Sequence, residues 1–147
     1  MTYEGYQNRS LDIPLHPQHH TSVTTHYAVS KLYGENLGQM YANVHNLSVI
    51  CIRLGWYPRA DAHEESIRDS SSLLLSKADC QQLFTRCVEA SNVRYTVVNG
   101  LSQGSAKQYD LELGRKVLNF YPQDSKEKTL EEHIKAFAIN FSASQLS

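Results

Sequence analysis

The stretch Leu47-Ser-Val-Ile-Cys-Ile-Arg-Leu-Gly-Trp-Tyr-Pro58 decides the fold. Its first seven residues form a short, nearly continuous apolar run, the pattern of a strand buried on both faces in a parallel sheet. Gly55 and Pro58 close it. Working back from this strand, Val29, Leu32, Tyr33, Leu37, Met40, Tyr41 and Val44 recur at helical spacing, which predicts a helix from His26 to about His45. Thr24 or Thr25 would start it and Asn46 would stop it. Its two apolar stripes imply one side facing a sheet and another facing a partner. Residues 1–25, with Pro14 and Pro17, read as an irregular connection.

Working forward, residues 59–76 are rich in charge and serine and read as a long loop. A helix is expected from Lys77 to Ala90, with Cys80, Leu83, Phe84, Cys87 and Val88 on one side. Tyr95-Thr-Val-Val-Asn99 reads as a second strand ended by Gly100. Asp110 to Leu118 reads as a short helix, Tyr121-Pro-Gln as a turn, and Leu130 to Phe141 as a last amphipathic helix. Alternating helices and strands argue for one α/β layered domain over residues 1–147. Within it, 26–58 is a helix and strand unit, 59–76 a loop, and 77–147 the C-terminal helices and strand.

At 147 residues and 41% hydrophobic content, one domain with its own core is expected. Fourteen basic and 15 acidic residues give a net charge of −1, with no basic stripe to hold a nucleic acid. No window approaches the roughly 18 apolar residues of a membrane helix, and no cationic leader precedes an apolar stretch. Cys51, Cys80 and Cys87 form no CxxC pair, and their odd number suits a reducing compartment. A cytoplasmic protein without nucleic-acid or membrane partners is expected. His16-Pro-Gln-His-His20 matches no metal-ligand spacing, and no metal site is assigned.

Chemistry enters at His26-Tyr-Ala-Val-Ser-Lys-Leu-Tyr-Gly-Glu35. Tyr27 and Lys31 are four apart, so a helix stacks phenol and ammonium on one face. A cation about 4 Å from a phenol oxygen, at an effective dielectric of about 20, is worth roughly 4 kcal/mol. At about 1.36 kcal/mol per unit, that is about three pKa units in favour of a phenolate. A phenol so placed can give and take a proton near neutrality, as interconversion of an alcohol and a carbonyl requires.

The pattern Tyr27-x-x-Ser-Lys31-x-x-x-Glu35, followed by the strand ending Ile52-Arg-Leu-Gly-Trp-Tyr-Pro58, resembles the extended short-chain dehydrogenase/reductase family, the NAD-dependent epimerase/dehydratase group. Leu54-Gly-Trp-Tyr-Pro58, Leu74-Leu-Ser-Lys-Ala-Asp79, Val98-Asn-Gly-Leu-Ser102 and Leu118-Asn-Phe-Tyr-Pro-Gln-Asp124 look like successive landmarks of its uronate-dehydrogenase-like branch. The likeness is to the C-terminal half of that family only. It implies the C-terminal half of a Rossmann-like doubly wound parallel sheet with the small substrate-binding region. It also implies an NAD or NADP cofactor and a sugar or sugar-acid substrate. By resemblance Tyr27 is the general acid/base, and Lys31 tunes it and bonds the nicotinamide ribose. Backbone near Leu54, Gly55 and Trp56 borders the nicotinamide. Arg59 or Arg68, in the loop after Pro58, meets a carboxylate, which a guanidinium fork matches in a bidentate way.

Dinucleotide binding also needs a Gly-rich turn against the pyrophosphate. The seven glycines, at positions 5, 34, 38, 55, 100, 104 and 114, do not form G-x-G-x-x-G or G-x-x-G-x-x-G. Nor is there an acidic residue placed for the adenosine ribose, so NAD and NADP are not separable from this sequence. The family's serine or threonine before the tyrosine has no counterpart in Ser10, Ser22 or Thr2. The expected protein is thus a truncated oxidoreductase or epimerase/dehydratase lacking the N-terminal Gly-rich βαβ half. The alternative is an inactive remnant serving as an interaction or oligomerisation module. Either way an apolar edge and a helix face lie open. The chain should be a homo-oligomer using the Val29/Tyr33/Leu37/Met40 side or the Leu47 strand edge. Light scattering at micromolar concentration should report more than the monomer mass, and a monodisperse monomer would refute it.

Overall fold

The computed structural model describes residues 14–18, 23–57, 73–105, 108–125, 127–132 and 134–135. Helix α1 (His26–His45) starts where Thr25 Oγ1 accepts from the Ala28 amide at 3.2 Å. It ends where Asn46 turns left-handed at φ 57°, a conformation asparagine tolerates better than most residues. Strand β1 (Val49–Leu54) follows directly. Helix α2 (Lys77–Glu89) is capped by Ser76 Oγ, which accepts from the Asp79 amide at 3.0 Å. Strand β2 (Tyr95–Gly100) and helix α3 (Glu112–Leu118) complete the named elements, and residues 127–132 are helical. The last helix is thus seen from 127, and positions 133 and 136–141 of its expected span lie outside the described residues.

β1 and β2 pair in parallel, Val49 opposite Tyr95 through Leu54 opposite Gly100. A parallel pair needs a crossover, and α2 supplies it. The α/β class and parallel sheet are therefore as expected. Leu83 of α2 packs with Val98, Leu118 and Phe120, with Ile50 and Ile52 at its margin. A second cluster joins Leu15, Leu101, Tyr109 and Leu111. Leu15 is held there by backbone bonds to Gln108 and Asp110 at 2.8 and 3.0 Å, and its carbonyl also accepts from Asn99 Nδ2 at 3.1 Å. One point of the N-terminal segment is therefore fixed to the domain.

Two burial patterns differ from expectation. The shared face of α2 does not hold: Leu83 is fully buried and Cys80 and Cys87 half-buried, whereas Phe84 and Val88 are 48% and 87% exposed. Successive helix positions diverge by about 100°, and a two-stranded sheet is too narrow to cover both. β1, expected to be buried on both faces, is half-buried along 49–53 and exposed at Leu54. Only β2 flanks it among the described residues.

Helix α1 sits close to the sheet because Gly38 has no side chain. A β-carbon there would lie 3.0 Å from Val49 Cγ1 and 3.4 Å from Cys51 Sγ. Ala28 and Ala42 are fully buried on the same face. Val29, Tyr33, Leu37, Met40 and Val44, about 180° round the helix, are all exposed. Gly100 allows a second close approach, since a β-carbon would meet Ile52 Cγ2 and Leu83 Cδ2, both at 2.7 Å. Gly100→Ala should therefore lower the unfolding free energy by about 1–3 kcal/mol, as overpacking does. Urea denaturation would measure it, and an unchanged midpoint would contradict this packing.

Candidate active site

Helix α1 runs antiparallel to β1, and side-chain contacts set its height. Gly38 lies against Val49 and Cys51, and Glu35 meets Arg53 further along the strand. Lys31 and Tyr27, one and two turns before Glu35, therefore stand level with the C-terminal edge of β1, at a rise of about 1.5 Å per helical residue against about 3.3 Å per strand residue. That edge carries Leu54, Gly55 and Trp56. In open α/β sheets the carboxyl ends of the strands are where ligands bind.

The structure brings Tyr27 and Lys31 together: the ammonium lies 4.8 Å from the ring centroid of a half-exposed tyrosine. This distance is within cation–π range. Ser30 Oγ donates to the Tyr27 carbonyl at 2.7 Å, closing the first turn. One turn beyond Lys31, Glu35 takes a bidentate grip from Arg53, with Nε and Nη2 donating at 2.9 and 3.0 Å. Tyr95 Oη donates to the Glu35 carbonyl at 3.0 Å. Burial, then the neighbouring Cys51 and Glu35 charges, push the Tyr95 phenol up to about 12, so it stays a hydrogen-bond donor. Burial and Glu35 raise the Cys51 thiol, and burial alone raises Cys80 and Cys87, so none is an activated nucleophile.

Beyond β1 the backbone is pinned on both sides. Gly55 donates to the Gly100 carbonyl at 2.8 Å and Trp56 to the Leu73 carbonyl at 2.6 Å. Leu75 donates back to Trp56 at 3.0 Å, and Ser102 donates to Leu74 at 2.9 Å. Residues 73–76 thereby form a wedge between the diverging ends of the two strands. A β-carbon at Gly55 would lie 2.4 Å from both Leu101 Cδ2 and the Leu73 carbonyl oxygen. Only glycine fits there, and the chain passes with bare backbone. Pro58, Arg59 and Arg68 lie outside the described residues.

The wedge is locked by a buried polar clip. Ser76 Oγ donates to Asp124 Oδ2 at 2.6 Å, and the Ser76 amide donates to Ser102 Oγ at 2.9 Å. Asp79 accepts from the Gln123 and Asp124 amides at 2.8 and 3.1 Å. Lys128 Nζ donates to Asp124 Oδ1 at 2.5 Å. Segments 74–79, 98–102 and 118–124, read in the sequence as separate landmarks, thus meet at one point. The sequence reading gave Ser76, Asp79, Ser102 and Asp124 no role. The Ser76-x-x-Asp79 spacing, a helix-start signature, was the available signal for two of them. Nothing in the spacing of Glu35 and Arg53 announced their pairing. An open groove beside α3, lined by Gln103, Arg115, Lys116 and Tyr121, shares none of the predicted site residues. Among the described residues, no three His, Cys, Asp or Glu side chains converge as a metal site, and no helix is long and apolar enough to cross a membrane.

An NAD-dependent glucose-6-phosphate dehydrogenase of Haloferax volcanii is 39% identical over 106 residues, covering 71% of this chain and 40% of its own length. The L-arabinose 1-dehydrogenase (NAD(P)+) of the same organism is 32% identical over 115 residues, covering 73% and 45%. The uronate dehydrogenase of Agrobacterium tumefaciens, solved as a Y136A mutant complexed with NAD, superposes with a TM-score of 0.64 at 25% identity over 84% of this chain and 44% of that one. The chain is thus similar to NAD-dependent, uronate-dehydrogenase-like enzymes over part of their length. A glucuronic acid dehydrogenase of Chromohalobacter salexigens agrees at a TM-score of 0.65 and 25% identity, over 83% of this chain and 44% of that one. No family model matches. The chain spans about 40 to 45% of the length of these curated relatives. Its Rossmann-like class is that of the dehydrogenases.

The clip gives a pH signature. Burial alone would raise the Asp124 carboxyl, but hydrogen bonds from Lys128 and Ser76 and the Lys128 charge outweigh it and hold it below its ordinary 3.8. A carboxyl depressed on folding stabilises above its unfolded value and loses that contribution as pH falls through the folded one. Asp124→Asn should therefore cost about 1–3 kcal/mol near pH 6, with the gap to wild type closing below about pH 3.8. Urea melts from pH 6 to 3 would measure it, and a pH-independent gap would contradict the ionised clip.

Proposed function

We propose that this chain carries the proton-transfer end of an NAD(P)-dependent oxidoreductase acting on a sugar or sugar-acid hydroxyl. The observation that carries the reading is the Tyr27/Lys31 pair on one helix face, at the level of the β1 carboxyl edge. Tyr27, as the base, takes the proton of the hydroxyl while the carbinol hydrogen departs with its electron pair, leaving a carbonyl; in the reverse direction it returns the proton. Lys31, whose ammonium lies over the Tyr27 ring, would donate to the nicotinamide ribose. The nicotinamide, when bound, supplies the hydride acceptor. Leu54, Gly55 and Trp56 would border it with backbone. Arg59 or Arg68 meets the carboxylate of a sugar acid.

The residues fit the nicotinamide end only. No glycine turn in this sequence suits the pyrophosphate, so that end of the cofactor is held by residues outside these 147. Names among the relatives support a sugar or uronate substrate. Epimerase or dehydratase chemistry draws on the same tyrosine and is a close variant. A cytoplasmic setting suits the three free thiols. A second reading, an inactive remnant acting as an oligomerisation module, is favoured by the exposed Val29, Tyr33, Leu37, Met40 and Val44 stripe. On either reading that stripe is the self-association surface of a homo-oligomer.

Calorimetric titration of the chain with NAD and NADP should give Kd values weaker than about 1 mM; tighter binding would overturn the division of the cofactor site. In a chimera joining the N-terminal half of the Haloferax glucose-6-phosphate dehydrogenase to this chain, Tyr27→Phe should lower kcat by about 10²- to 10⁴-fold. Retained turnover in that variant would sink the acid/base assignment.

A further inference from the structure

A second group of polar side chains converges away from Tyr27, in the groove beside α3. Its volume is about 560 Å³, within the range of about 300–1,000 Å³ typical of small-ligand sites. One wall is braced from behind. The Tyr121 amide donates to Gln82 Oε1 of α2 at 2.8 Å, and the Gln123 amide donates to Asp79 Oδ1 at 2.8 Å. Gln123 Nε2 folds back onto the Tyr121 carbonyl at 2.9 Å, closing a turn around the buried Pro122. Arg115 is set in turn by Gln103, whose Oε1 accepts from Arg115 Nη2 at 2.8 Å and so fixes the plane of the guanidinium.

What these side chains leave unused is mostly donor. Beyond Gln103, Arg115 donates only to Glu112 Oε2, at a long 3.4 Å, and the rest of its fork has no protein partner among the described residues. Lys116 Nζ lies 3.9 Å from Glu112 Oε1, too far for a hydrogen bond, and its side chain is 71% exposed. The Gln103 side-chain nitrogen and the half-exposed Tyr121 hydroxyl also lack a protein partner among the described residues. Two cations and two neutral donors thus line one groove, against Glu112 as the one carboxylate in its lining.

That inventory selects the ligand. A carboxylate offers two oxygens and is matched by a single guanidinium edge, whereas a phosphomonoester carries three acceptor oxygens and a charge of about −1.5 to −2 at neutral pH. We propose that this groove binds a small phosphomonoester, its oxygens held by Arg115, Lys116, Gln103 and Tyr121. Glu112 opposes the ligand, which displaces that carboxylate from Lys116, the looser of its two contacts. The lining shares no residue with the Tyr27 chemistry, so the site serves a ligand other than the reacting sugar and stands apart from the oxidoreductase reading.

The test is titration of the full chain with glycerol 2-phosphate, followed residue by residue through amide magnetic-resonance shifts. Glycerate serves as the carboxylate analogue and inorganic phosphate as the bare group. Saturable shifts should centre on Gln103, Arg115, Lys116 and Tyr121, with glycerate binding about tenfold more weakly. Arg115→Gln should weaken glycerol 2-phosphate by at least about tenfold, as loss of hydrogen bonds to a charged group does. Glu112→Gln should tighten it about two- to fivefold by removing a like charge from the rim. A merely structural role for the two residues would not give effects of opposite sign. If Arg115→Gln does not fold, Lys116→Gln and Tyr121→Phe carry the same measurement, each weakening binding about two- to fivefold. Glycerate binding as tightly as the ester, unchanged affinity in the folded Arg115→Gln variant, or weaker binding in Glu112→Gln would overturn the proposal. Tighter binding of inorganic phosphate than of the ester would make this a site for free phosphate and overturn it too. So would shifts confined to lysines elsewhere on the surface.

Discussion

The grip of Arg53 on Glu35 is the contact on which the candidate site depends. Both side chains are largely buried, at 8% and 15% exposure, and the two nitrogens meet two carboxylate oxygens in register. Such a pair adds little net stability over well-packed apolar residues, but removing one partner typically costs about 3–5 kcal/mol by leaving a charge uncompensated. Its consequence is positional. A planar fork fixes both angle and distance, so the helix cannot slide along β1 without breaking it. Glu35 is one turn from Lys31 and two from Tyr27, while Arg53 immediately precedes Leu54-Gly55-Trp56. The pair therefore sets the height of the phenol against the strand end. The Tyr95 hydroxyl bonded to the Glu35 carbonyl reinforces the same placement from β2.

Two glycines and one wedge do the rest. Gly38 lets α1 approach β1, and Gly55 lets bare backbone pass between Leu101 and Leu73. Residues 73–76 hold the diverging strand ends apart, and the Ser76, Asp79 and Asp124 clip holds the wedge. Every hydrogen bond of that clip involves a buried group, and no described buried side-chain polar atom is left without a partner. In a low dielectric a network satisfied in this way is rigid, and one lost member leaves the others desolvated and unpaired. The site is thus supported from the side opposite α1 by residues far from it in sequence. Among the described residues, the outward stripe of α1 is exposed and β2 is the only strand beside β1.

Much of this was legible in the chain. The apolar run at 47–53 gave a strand within two residues of its observed bounds, and Thr25 and Asn46 marked the ends of α1 because their local chemistry satisfies terminal backbone groups. The Tyr27/Lys31 contact followed from a four-residue spacing. What failed was burial. Phe84 and Val88 carry the periodicity of a core face, and β1 the composition of an interior strand, but apolarity states a demand for cover without saying whether cover is present.

The sequence by itself determined the α/β class and the pairing of phenol with ammonium, because these are properties of short spacings and local backbone preference. Only the tertiary structure decided that Glu35 closes on Arg53, that Gly55 threads between two other segments, and that Ser76, Ser102 and Asp124 share one buried point. Those contacts join residues 18 to 48 apart. No periodicity encodes them, since their geometry exists only after the strands have paired and the helices have packed.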